Sequence, residues 1–180
     1  PGKRVYVRRV NFQGNIKTHD EVLRREMRQS EGSWFSTKDI ERSKTRLQRL
    51  DYLESVNLET PAVPGANDQV DANFTVVERP SGSLMFGIGY GQESGLLLNA
   101  SVTQNNFLGT GNQLSLVLND SDTGQNYSLS YNNPYYTPDG VSRGFRLYYR
   151  EIDSYETNTA NYILNSYGAQ VSYGFPLNEF

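Results

Sequence analysis

The chain has 180 residues, 36% of them hydrophobic, with 13 Tyr, 16 Gly and no Cys, which excludes disulfide frameworks, thiol nucleophiles and thiolate metal sites. A net charge of −3 hides an uneven division: residues 1–80 hold 14 of the 17 Lys and Arg and 12 of the 20 Asp and Glu, and residues 81–180 the other 3 and 8. No apolar stretch approaches the roughly 18–20 residues of a membrane-crossing helix, and the start, PGKRVYV, has neither an initiator Met nor a signal peptide, so the sequence reads as a fragment or mature segment.

Residues 1–80 have an ordinary soluble balance of charge, and the Arg79-Pro80-Ser81-Gly82 turn marks a boundary. VYVRRVNFQG (5–14) predicts a strand closed by Gly14-Asn15. Thr18-His19-Asp20-Glu21 then has capping-box spacing, with Thr18 placed to accept from the backbone N–H of Glu21. The helix that follows carries Val22, Leu23 and Met27 and should stop before Gly32. A second helix begins near Ser36-Thr37, with Ile40, Leu47 and Leu50 at helical spacing. Strands around Ser55 to Glu59 and from Gln69 to Val77 complete a β-α-α-β-β unit, an α+β domain of one amphipathic sheet covered by two helices.

From residue 81 to 180 the period is two throughout, an all-β pattern. Leu84, Phe86, Ile88 and Tyr90 lie on one face, followed by Leu96 to Val102, Leu114 to Leu118, Tyr127 to Tyr131, Phe145 to Tyr149 and Tyr167 to Phe175; their alternates are small or polar. Glu93-Ser94-Gly95, Gly109-Thr110-Gly111, Asp120 to Gly124 and Pro138-Asp139-Gly140 supply hairpin turns, giving an antiparallel meander of six strands. A soluble sandwich alternates similarly. Against it stand aromatics at the strand ends (Tyr90, Phe107, Tyr135, Tyr136, Tyr173, Phe175) and the polarity of the second face, which together match a transmembrane β-barrel.

FGIGYG (86–91) gives every second position of one strand to glycine. No helix follows and G-x-G-x-x-G spacing fails, so a phosphate loop is excluded. The glycines provide either steric room or a deliberately weak edge. His19 is the one His and lies in a capping sequence, no Ser has a His and Asp beside it in a motif, and Asp120-Ser121-Asp122 lacks the rest of a calcium loop. No catalytic residue, metal site or cofactor is implied. The Arg24, Arg25, Arg28 cluster lies in a segment of net charge +2 without interleaved exposed aromatics, which argues against nucleic acid.

Val7-Arg8-Arg9-Val10-Asn11-Phe12-Gln13-Gly14-Asn15, Leu23 to Arg28, Leu47 to Leu53 and Val76-Val77-Glu78-Arg79 resemble the last POTRA domain of the BamA family, outer-membrane-protein assembly factors of Gram-negative bacteria. Phe86 to Gly91, Asn106-Phe107-Leu108-Gly109-Thr110-Gly111 and Asn133-Pro134-Tyr135-Tyr136 resemble the family's opening barrel strands. The resemblance implies a POTRA domain over 1–80 and about six of sixteen barrel strands over 81–180, too few to close that barrel. It places the barrel in the cell outer membrane and the POTRA domain in the periplasm. It further implies a lateral gate, where Phe86, Gly87, Ile88, Gly89, Tyr90 and Gly91 would pair with strands of unfolded outer-membrane clients amid outer-membrane lipid. Docking of the lipoprotein BamD and its companions in the assembly complex would fall on Glu31 with Arg24, Arg25 and Arg28, although an exposed turn carboxylate is usually only solvated. A polypeptide translocator of two-partner secretion type shares this layout. A passive porin-like barrel with a periplasmic adaptor domain is the other alternative, disfavoured by the few inward charges beyond Arg146 and Arg150.

Overall fold

The computed structural model describes residues 4–153 and 163–177. Two compact units emerge. Residues up to Ser81, joined by Leu108–Thr110, form the first, and Gly82–Phe107 with the residues from Gly111 onward form the second.

The first unit runs β1 (Tyr6–Gln13), α1 (Asp20–Arg24), α2 (Thr37–Gln48), β2 (Leu53–Glu59) and β3 (Gln69–Glu78). Its sheet has the order β1-β3-β2, with β1 parallel and β2 antiparallel to the central β3. β3 takes the centre because Ala72, Phe74 and Val76, at alternate positions, are all buried. Val7, Val10, Val22, Leu23, Ile40, Leu47 and Val56 pack with them in one core, and Phe12 stacks on Phe74 at 5.6 Å. α2 begins at Ser36, whose side chain accepts from the Asp39 N–H at 3.2 Å, and buries Ile40, Ser43 and Leu47 on one stripe.

The expected first helix is shorter than its sequence pattern. α1 spans five residues; His19 is its N-cap without a side-chain bond, so no capping box forms. The Glu78 carboxylate instead accepts from the backbone N–H of Lys17 and of Thr18, the latter at 2.8 Å, and this holds the entry loop. Beyond α1 the chain turns away because the buried Ser43 hydroxyl accepts from Arg28 N–H at 2.7 Å and Gln29 N–H at 3.2 Å, supplying partners that a continuing helix would have found in its own carbonyls. Glu26 pairs with Arg46 of α2 at 2.9 Å.

In the second unit six antiparallel strands follow one another in chain order: β4 (Gly82–Gly91), β5 (Gly95–Phe107), β6 (Asn112–Ser121), β7 (Gly124–Asn133), β8 (Ser142–Asp153) and β9 (Ile163–Gly174). The sheet is open, with β4 and β9 at its edges. Register assigns the faces. Phe86 lies opposite Ala100, Ile88 opposite Leu98, Val102 opposite Leu116, Leu116 opposite Leu129, Leu129 opposite Leu147 and Phe145 opposite Val171, so these residues share one face. The other face carries Gly87, Asn99, Asn119, Asn126, Arg150 and Ser166 in one continuous row across all six strands. Among the described residues every buried hydrophobic side chain belongs to the first unit.

Candidate functional site

β4 pairs with β5 at every rung from Gly82 opposite Gln104 to Gly91 opposite Gly95. The β4–β5 ladder has no bulge, so the glycines do not interrupt pairing on this side. On its other side β4 has no strand neighbour among the described residues. Alternate residues along that side direct N–H and C=O groups outward, as at any sheet edge.

The glycines differ in what they leave room for. A Cβ on Gly87 would lie 2.3 Å from the Asn99 Oδ1, the end of a side chain that can move. On Gly89 it would make ordinary contacts of 3.7–3.8 Å with Leu97, and on Gly91 its closest neighbour would be Ser94 at 3.5 Å. None of the three has a positive φ. Within this sheet neither space nor backbone conformation demands glycine at 89 or 91, so these two residues lower strand propensity without a local steric return. Their alternates are held out into solvent, Phe86 at 70% exposure.

Gly168 on β9 is the contrasting case. Its missing side chain is filled by the Tyr148 ring, whose hydroxyl would sit 2.5 Å from an added Cβ. Nothing in the alternation of β9 announces that pairing.

Glu31 is not the free turn carboxylate its sequence position suggests. In β1 two residues, Arg8 and Arg9, oppose the single Asp71 of β3, and the register shifts between Val7 and Val10. Glu31 Oε1 accepts from the Val10 N–H at 2.9 Å and from Arg24 Nη1 at 2.9 Å, while Arg24 Nη2 donates to the Val10 carbonyl at 3.0 Å. The pair thus satisfies both backbone groups of Val10. Gly32 N–H to Val7 O at 2.7 Å and Val7 N–H to Ser33 O at 3.0 Å continue the same cover along the β1 edge. The Val10 N–H, against a smaller opposing cost of burial, and then the Arg24 guanidinium hold the Glu31 carboxyl below its ordinary range.

The three arginines grouped with Glu31 by sequence have separate tasks. Arg24 also donates to Asp20 at 3.0 Å, Arg25 Nη2 reaches the Thr110 carbonyl at 3.5 Å, and Arg28 Nη1 donates to the Met27 carbonyl at 3.1 Å. Thr110 belongs to the first unit through its turn: the His19 N–H donates to the Gly109 carbonyl at 2.9 Å. Gly109, at φ +77°, comes so near that a Cβ would lie 2.0 Å from the Lys17 carbonyl oxygen. Asp120-Ser121-Asp122 serves a hairpin, where Ser121 Oγ donates to the Gly124 carbonyl at 3.1 Å.

Two family descriptions match the chain: "POTRA: Surface antigen variable number repeat" over residues 5–79, and "Omp85 superfamily domain" over residues 106–180. The outer membrane protein assembly factor BamA of Neisseria meningitidis serogroup B is 38% identical over the whole chain, which spans 23% of that protein's length. The crystal structure of BamA from Haemophilus ducreyi lacking POTRA domains 1–3 is 45% identical and superposes with a TM-score of 0.86, over 99% of this chain and 34% of that one. CdiB from Acinetobacter baumannii shares the fold, with a TM-score of 0.62 at 14% identity over 94% of this chain and 33% of its own.

Proposed function

Because the chain belongs to the Omp85 superfamily, joining a POTRA domain to barrel strands like those of BamA, we propose that it is part of an outer-membrane β-barrel assembly factor that inserts client proteins by strand templating at β4. The observation that carries this reading is the pair Gly89 and Gly91 along the outer edge of β4, glycines that neither sterics nor φ require. In hydrocarbon each unsatisfied backbone group costs several kcal/mol, so such an edge in a bilayer demands a partner. An incoming strand has the same need. Each satisfies the other, and the glycine positions weaken the ladder enough for the client to leave. No bond is made or broken.

The apolar face would meet outer-membrane lipid and the polar row would line the interior, with the POTRA domain in the periplasm. BamD would dock on the surface around Glu31. There the Glu31–Arg24 pair sets the shape of the β1 edge, so charge reversal would disturb that edge as well as any contact. The 14% identity with CdiB supports a shared fold and adds nothing for translocation.

Gly89→Val and Gly91→Val test the gate. Each added Cβ meets only ordinary van der Waals neighbours and should strengthen β4 by up to about 1 kcal/mol. Client assembly in reconstituted membranes should slow while the barrel itself becomes harder to unfold. Assembly at the unmodified rate in a stiffened β4 would leave the glycines without a gating role.

A further inference from the structure

Residues 81–180 contain three arginines, 143, 146 and 150, and the register of β8 separates one from the others. Arg146 lies opposite Ser130 and Gln170, and Arg150 opposite Asn126 and Ser166, on the polar face. Arg143 lies opposite Asn133 and Tyr173, in the alternating series of Phe145 and Leu147, on the apolar face. It is the second residue of β8, at a strand end. Its guanidinium carbon stands 3.8 Å from the ring centroid of Tyr136 and 4.8 Å from that of Phe145. Its Nε is buried and without a hydrogen-bond partner, and among the described residues Arg143 forms no ion pair. The clamp is fixed: the Tyr136 N–H donates to the Val141 carbonyl at 2.8 Å and its ring meets that of Tyr173 edge-on at 6.2 Å. Half-exposed Tyr136 and Tyr173 put aromatic surface around the charge.

A cation held among aromatics on a lipid-facing surface is tolerated only near the interface, where phosphates lie. The two rings cover the guanidinium and strengthen its charge–quadrupole contacts, while its planar donors suit a phosphate oxygen pair. We propose that Arg143, clamped between Tyr136 and Phe145, binds the headgroup phosphate of an anionic phospholipid at the rim of the bilayer where β8 begins. This rests on the lipid-facing reading of the apolar face given above.

The test reconstitutes the protein in phosphatidylethanolamine vesicles with phosphatidylglycerol, and counts co-purifying lipids by native mass spectrometry. Phosphatidylglycerol should be retained about fivefold over phosphatidylethanolamine, the attraction of one interfacial arginine. Arg143→Gln should abolish the enrichment, Arg146→Gln on the opposite face should keep it, and excess inorganic phosphate should not displace the lipid. Absent enrichment in the unmodified protein, equal loss in both variants, or displacement by inorganic phosphate overturns the proposal. The chain lacks cysteine, so a nitroxide at Leu147→Cys separates the two ideas. If that label meets oxygen but not a water-soluble nickel reagent while Arg143→Gln keeps its phosphatidylglycerol, the lipid face stands and the phosphate site falls. If nickel reaches the label, both fall.

Discussion

Phe74 and Phe86 are the same residue at alternating positions of two strands, yet Phe74 is fully buried and Phe86 is 70% exposed. The first unit turns its apolar face toward two helices and closes a core around it. The second turns Leu98, Leu116, Leu129, Leu147 and Val171 outward with nothing over them, and keeps asparagine, serine and arginine on its other side. Each large apolar side chain left in water forgoes up to roughly 1.5–3 kcal/mol of burial, so the second unit draws little of its stability from water. The same period-two pattern thus gives a buried face in one unit and an open face in the other. Water drives the first unit together, and, on the lipid-facing reading proposed above, hydrocarbon would accept the second with its face open.

This contrast can be broken most forcefully at Phe74. Phe74→Ala should cost the first unit about 3–5 kcal/mol, read by denaturant unfolding through Trp34, the chain's single tryptophan, which lies in that unit. A paired comparison in the second unit follows. Leu129→Arg should destabilise the membrane-inserted sheet by about 2–4 kcal/mol, whereas Ser128→Arg, one residue away on the opposite face, should be nearly neutral. Equal costs in vesicle unfolding would contradict the face assignment. Gly168→Ala should cost about 1 kcal/mol because Tyr148 must leave its place, while Gly89→Ala, which meets Leu97 only at ordinary contact distance, should cost nothing in the same assay.

The smallest effect sharpens the electrostatics of the first unit. Glu31 and Glu78, ordinarily 4.5, and Asp71, ordinarily 3.8, are all held below those values. For Glu78 burial pulls the other way, and the N–H groups of Thr18 and Lys17 outweigh it. For Asp71 the leading cause is its two-point contact with Arg8, at 2.7 and 3.0 Å. A depressed carboxyl stabilises the fold above its ordinary value and loses that contribution as pH falls through the folded one. Trp34-detected stability should therefore be flat from neutral pH to about 5 and decline below it, by well under 1 kcal/mol for half-exposed Glu31. Glu31→Gln should remove part of that decline.

Most of the architecture was legible because period and turn chemistry are local. The six strands, the shared face of Phe86 and Leu98, and the turns at Gly95, Gly109, Gly111 and Gly140, all at positive φ, follow from alternation and glycine placement. The missed features depend on contacts distant in sequence. Thr18 has capping-box spacing, but Glu78, sixty residues on, takes its N–H. Glu31 looks like a solvated turn residue until the extra residue in β1 brings the Val10 N–H to it. Arg143 stands out only once β8 register puts it on the face opposite Arg146.

Hydrogen exchange along β4, measured in reconstituted membranes before and during client assembly, tests the gate most directly. The amides of Phe86 to Gly91 on the outer side of β4 should exchange faster than those of β6 and β7 in the resting protein. Once an unfolded client is added they should become protected, and lose that protection when assembly is complete. If clients assemble while β4 protection stays unchanged, client strands do not pair there, and the open edge of β4 is not the site of insertion.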